Sequence, residues 1–320
     1  MTSGSPGRLI ILFAIPLMLG NICQQLYTMV DTMVVGQIAG VEALAALGAV
    51  DFLMWVVTGI STGLTQGFSI QLSQYYGAKD FENLRKSLAH SYRLTAFIAV
   101  GVFILSQSFA ALVLTGLHTP SNIIGMSLLY LRIIFCGIPA TAAYNMFAAA
   151  LRAMGNSKTP LTAMIIASVL NISLDILFVA GFGWGVAGAA IATVIAQSFS
   201  AVYCFLILRR IDIVHLSRAD FMTAAGMNAR LMKLGIPVVF QNIIIGVGGL
   251  VVQYVINGYG FLFVAGFTAT NKLYGLLEMA AISYGYAIVT YVGQNLGAGR
   301  IDRIRKGVRS SMLLSLLTSL

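Results

Sequence analysis

QYYGAKDFENLRK, residues 74–86, returns 220 positions later as QNLGAGRIDRIRK, residues 294–306, with Gln, Gly, Ala, Arg and Lys identical at five of 13 positions. Each copy closes a long apolar run and opens a basic stretch. A second echo lies upstream of each. LFAIPLMLGN (12–21) resembles LMKLGIPVVFQN (231–242), which sets Pro16 against Pro237 at an offset of 221. Internal repeats of this kind mark a duplicated architectural unit, here one whose members must be the apolar runs between the copies.

Those runs decide the solvent. Of the 320 residues, 58% are hydrophobic and 9% charged, with a mean hydropathy of +0.90. Soluble domains carry about 25% charged residues, so this composition predicts an integral membrane protein. Apolar windows recur at 9–35, 47–75, 90–115, 125–151, 160–181, 185–208, 231–256 and 264–295, and a ninth begins near 309. Each is long enough for a helix rising 1.5 Å per residue to cross a hydrocarbon core of ~30 Å. Alternating ten-residue strand patterns are absent, which argues against a membrane barrel. The first run is too long for a signal-peptide core and no small-residue cleavage site follows it.

The net charge of +9 is distributed as a topology signal. Seventeen of the 19 Lys and Arg residues flank or fill the segments before span one, between spans two and three, four and five, six and seven, and after span eight. The alternate loops, 36–46, 116–124, 182–184 and 257–263, hold none. This is the positive-inside pattern, and it predicts a cytoplasmic N-terminus. It gives the positive charge a membrane role, so no nucleic-acid partner is expected. Spans one and two correspond to seven and eight, so the repeat unit is six spans. Six being even, both copies enter the membrane in the same orientation, as parallel repeats of secondary transporters do. The expected architecture is an all-α polytopic membrane protein. Residues 1–215 form a six-helix N-lobe with its connector, and 216–320 form the first two to three helices of a C-lobe. The chain closes on SSMLLSLLTSL (310–320), inside a helical pattern, so a twelve-span protein cut short is expected.

Charges inside spans are costly, about 2.5–3.5 kcal/mol on insertion scales, and face a cavity or a partner. Gln24, Tyr27 and Asp31 are spaced i, i+3, i+7 and share one helix face. They predict a polar stripe in span one, an ion or proton site in a cavity, against the plainer reading of Asp31 as an interfacial cap. Asn171 and Asp175, four apart, share a face of span five. The amide can hydrogen-bond a carboxylate or offer a carbonyl to a hard cation. Thr193 is weak alone, since a transmembrane Thr usually bonds its own backbone. Glu278 lies deep in span eight without a basic partner on its face, Lys272 being about 240° round the helix, and is a candidate second site. Arg132 is the other cation within a span. Pro16, Pro139 and Pro237 permit kinks. Cys23, Cys136 and Cys204 lie in apolar runs without metal-ligand spacing and read as small buried hydrophobes. No HExxH, GxSxG or Walker motif occurs, so neither catalytic residues nor ATP-driven transport is expected.

Several stretches resemble a known family. IPLMLGNICQQLYTMVDTMVVGQIAGVEALAALG (15–48) resembles the first helix and following loop of multidrug and toxic compound extrusion transporters. QYYGAKD and GQNLGAGR resemble the paired motifs of that family's two lobes, and ALRAMGNSKTPL (150–161) resembles its loop between helices four and five. The resemblance implies twelve helices in two lobes and exchange of H⁺ or Na⁺ for organic cations at the cell membrane, with no cofactor beyond the coupling ion. It further implies a monomer in the lipid bilayer with drug-like partners. It also implies that Gln24, Tyr27, Asp31, Asn171, Asp175 and Thr193 form one N-lobe site, with Na⁺ held by Asp31, Asn171, Asp175 and Thr193. Two carboxylates in one such pocket would titrate as a coupled pair. One branch of the family carries an acid in helix seven, where this chain has Gln241 and Asn242. A flippase for a lipid-linked saccharide, from the same superfamily, is the alternative. It would need cavity cations, for which only Arg132 and Lys272 offer themselves.

Overall fold

The computed structural model describes residues 1–222 and 226–319, with all their side chains except those of Lys272, Leu276, Leu277 and Ser319. The described residues form eleven α-helices and no strand. Span one is α1 (Pro6–Ile38), which runs unbroken through Pro16. Span two divides into a short outer helix, α2 (Val41–Gly48), and α3 (Asp51–Ala78). Span three is α4 (Phe81–Gly116). Span four, expected as one helix, is α5 (Ile124–Cys136) and α6 (Ile138–Ala153), bent by 48°. Gly137 lies at the bend and Pro139 in the first turn beyond it, where proline's missing N–H costs nothing. Span five is α7 (Lys158–Asp175), extended by a π-helical stretch over Ile176–Gly181. Spans six and seven are α8 (Gly185–Arg209) and α9 (Met227–Asn257). Span eight is α10 (Phe261–Gly297), bent by 46° between its halves. Six helical runs are each long and apolar enough to cross a membrane, and the two bent pairs bring the count to eight.

The ninth run differs from expectation. α11 spans Ile301–Ser319 and so begins well before 309. Its first turns, IDRIRKGVR, are charged. Hydropathy therefore marks only the apolar second half, while backbone hydrogen bonding starts the helix directly after Gly299.

The loops sort by charge. At one end of the bundle the Gln294 amide donates to the Ala153 carbonyl at 2.7 Å, and Arg303 donates to the Asn295 side chain at 3.0 Å. At the other end lie the loops without Lys or Arg, where Asn122 donates to Glu42 and Asn257 to the Leu117 carbonyl, both at 2.9 Å. The connector between spans six and seven docks on α4. His90 sets its ring nitrogens against the Asn228 side-chain oxygen (2.7 Å) and the Met222 carbonyl (3.2 Å). Ser217 donates from its backbone N–H and hydroxyl to Asp220 at 2.7 and 2.8 Å. Burial opposes ionisation of Asp220, but these bonds and the Arg85 guanidinium outweigh it and hold the carboxyl below its ordinary value.

Packing relies on small residues, which let backbones approach closely in lipid. α3 lies along α9, with Gly67 against Gly235 and Gly63 against the Val239 backbone. α1 lies along α10. A repeat offset of 220–221 maps Gly67 and Gly235 onto Ala287 and Ala14, which share one buried cluster. The α1–α10 pair is thus the repeat counterpart of the α9–α3 pair.

Candidate ion-binding and substrate cavities

Two cavities open inside this frame. The first, about 330 Å³, is walled by α1, α3, α5, α6 and α8 and by Tyr286 of α10. Gln24, Tyr27 and Asp31 all line it, so the helical spacing placed them on one face as expected. Asp31 is 5% exposed and two turns short of the end of α1, which rules out the capping reading. Tyr27 is buried, and its hydroxyl accepts from the Gln197 amide at 3.1 Å, with Gln24 bonding the same side chain. Thr193 faces the cavity from α8.

Asn171 and Asp175 do not line this cavity. Both are 0% exposed, behind its wall. Asn171 reaches the site by donating to the Thr193 hydroxyl at 3.4 Å. Asp175 ends α7 where the π-helical stretch begins, within electrostatic reach of Asp31. π-helical insertions recur at functional sites because they re-aim the side chains beside them. The Asn171 carbonyl and both Asp175 carboxylate oxygens meet no hydrogen-bond donor among the described residues. Buried oxygens of this kind are expensive to leave unsatisfied. Carboxylate, amide and hydroxyl oxygens suit a hard monovalent cation or a proton. Among the described residues no cluster of three His, Cys, Asp or Glu offers a transition-metal site.

The second cavity, about 700 Å³, lies between α3, α9 and α10. Glu278, the candidate second site of span eight, lines it and is exposed. Gln241 and Asn242 line it too, beside Trp55, Tyr274 and Tyr286. The two cavities share Thr58, Thr62 and Tyr286. Of the two span cations read from sequence, Arg132 is not among the wall residues of either cavity. Arg132 is exposed on the outer surface of α5, and the Lys272 side chain lies outside the described residues.

Sequence reasoning missed Gln197, Arg152, Tyr130, Asp51 and Tyr286 as wall residues of the first cavity. Arg152 belongs to a basic loop by position, yet its guanidinium stands 4.9 Å from the Tyr286 ring centre, at the cavity floor. A partial signal existed for Gln197, a polar residue one helical turn from Thr193 on α8.

A family model described as MatE matches residues 16–177 and 237–320, both repeat copies. The probable multidrug resistance protein YpnP of Bacillus subtilis (strain 168) is 31% identical over 303 residues, covering 95% of this chain and 68% of that protein. The probable multidrug resistance protein YoeA of the same organism is 29% identical over 312 residues, with 95% and 67% covered. The chain thus spans about two thirds of the length of these relatives. A solved outward-facing structure of a multidrug resistance MATE family transporter of the MOP superfamily superposes with a TM-score of 0.89 at 23% identity, over 98% of this chain and 70% of that one. The fold, the family match over most of the length and the level of identity agree, and the chain belongs to the MatE family of multi-pass membrane transporters.

Proposed function

We propose that this protein is a secondary efflux transporter, exchanging H⁺ or Na⁺ for organic cations by alternating access in the plasma membrane, with its N-terminus in the cytoplasm. The names of YpnP and YoeA, both probable multidrug resistance proteins, support the substrate class. One observation carries the coupling reading. Asp31 on the cavity wall and Asp175 behind it are within electrostatic reach of each other, Asn171 bonds the wall residue Thr193, and the buried Asp175 carboxylate oxygens meet no donor among the described residues, as a site for a cation or a proton requires.

In this reading Asp31, Asp175, Asn171 and Thr193 bind the coupling ion, while Tyr27, Gln24 and Gln197 hold the wall in shape. Coupling requires that the ion bind one access state better than the other, since equal affinity shifts nothing. The larger cavity suits the cargo. Glu278 supplies a carboxylate and Trp55, Tyr274 and Tyr286 supply ring faces, which attract a desolvated cation by roughly 2 kcal/mol. Thr58, Thr62 and Tyr286, common to both cavities, are where ion and cargo meet. The flippase alternative loses ground, because Arg132 faces outward and Arg152 is the one Lys or Arg on the described walls of either cavity. No nucleic-acid partner and no cofactor are invoked, and the working unit is a monomer.

The test is efflux of a fluorescent organic cation from membrane vesicles under separate Na⁺ and pH gradients. Wild type should follow one gradient. Asp31→Asn should lose that dependence by at least about tenfold, equivalent to 1.4 kcal/mol of coupling. Undiminished gradient-driven efflux in Asp31→Asn would sink the reading.

A further inference from the structure

The repeated motif of the sequence meets itself in the structure. Gln74, Gly77, Gln294 and Gly297 are equivalent in pairs at the offset of 220, and their contacts are crosswise. A Cβ on Gly77 would overlap the carbonyl oxygen of Gln294, and a Cβ on Gly297 would overlap the carbonyl oxygen of Gln74. The equivalent positions Ser73 and Gly293 face one another, where a Cβ on Gly293 would stand 2.6 Å from that of Ser73. This is the pattern of an isologous interface, in which i meets j and j meets i across a two-fold axis. Here the axis relates the two halves of one chain, at the basic end of the bundle.

We infer that Gly77 and Gly297 form a reciprocal steric gate that seals the cytoplasmic end by direct backbone contact. The inference rests on the alternating-access reading, because a seal matters only if it parts. Three features favour a contact made to open. It is backbone on backbone at both glycines, which carry no side chain to unpack. The polar ties beside the crossing, from the Met1 ammonium to the Gln294 side-chain oxygen and from the Gln294 amide to the Ala153 carbonyl, both at 2.7 Å, are ones that water can replace. It lies at the turns that end spans two and eight, at one end of the bundle, where a small tilt gives the largest separation. Glycine is required at both positions for one reason: a methyl group on either side pushes back against main chain, which cannot rotate away.

The experiment uses Asn145→Cys, on the wall of the smaller cavity, in a background with Cys23, Cys136 and Cys204 replaced by Ser. A membrane-impermeant maleimide is applied from the cytoplasmic face of everted vesicles. Gly77→Ala and Gly297→Ala should each raise the labelling rate by about tenfold, a shift within reach of a typical substitution. Gly266→Ala, on α10 with open space around it, should leave the rate unchanged. Unchanged labelling in both gate variants, or a rise in one alone, overturns the inference. A second measurement needs no glycine substitution. Spin labels at the exposed positions 79 and 300 should report two distance populations in membranes; a single distance under every ion condition also overturns it. Efflux of the organic cation scores the transport reading separately. Labelling that rises without any efflux keeps the gate and removes the transporter reading, while intact efflux with unchanged labelling does the reverse.

Discussion

Asp175 is 0% exposed, and neither of its carboxylate oxygens meets a hydrogen-bond donor among the described residues. A group held this way is a stability cost retained for a purpose. Asp175→Asn keeps the shape and removes the charge. It should raise the midpoint of thermal unfolding in detergent, by the equivalent of about 1 kcal/mol or more, while abolishing gradient-driven efflux. A lowered midpoint would show that the carboxylate anchors the fold and would remove it from the ion site. At this scale the sequence exposed what one helix can expose. The spacing of Gln24, Tyr27 and Asp31, and of Asn171 and Asp175, follows from 100° per residue and nothing else. It did not reveal that one set lines the cavity while the other stands behind the wall, nor that Gln197 and Tyr286 complete the site. Those side chains arrive from other helices, and the periodicity within a helix carries no information about what lies across from it.

Two turns decide how spans two and eight hand on to the next helix. Lys79 and Gly299 are repeat equivalents and both close their turn in the left-handed region, at φ 59° and 70°. Glycine occupies that conformation freely, whereas an L side chain costs roughly 1–2 kcal/mol there. Lys79→Gly should therefore raise the unfolding midpoint, worth about 1 kcal/mol, and Gly299→Lys should lower it; no change in either would mean the turn relaxes. In the first copy Asp80 offsets part of the strain, its carboxylate accepting from the Asn83 backbone N–H at 3.1 Å to cap α4. Element identity was readable from hydropathy, since every expected span has its helix. Breaks were not. The division of span two after Gly48, the bend at Gly137 and the early start of α11 depend on local backbone hydrogen bonding and caps, to which a hydropathy window is blind.

Across the whole molecule the lobes expected at 1–215 and 216–320 remain our proposed division. Orientation is open to direct measurement: an epitope tag placed before Met1 should be cleaved by protease only from the cytoplasmic face of sealed vesicles, and cleavage from the outer face would invert the topology. The sequence by itself determined the solvent, the number of spans, the alternation of the loops and the duplication. These are one-dimensional properties: composition sets transfer free energy into lipid, charge count sets loop placement, and self-alignment shows a repeat without any fold. Only the tertiary structure decided that the two motif copies touch each other, that Asn171 bonds Thr193 on the wall of the cavity Asp31 lines, and that Glu278 lines a second cavity, which shares Thr58, Thr62 and Tyr286 with the first. Each of those depends on how closely helices far apart in the chain approach. That distance is set by the volumes of the residues between them, which for Gly67 and Gly235 is almost nothing.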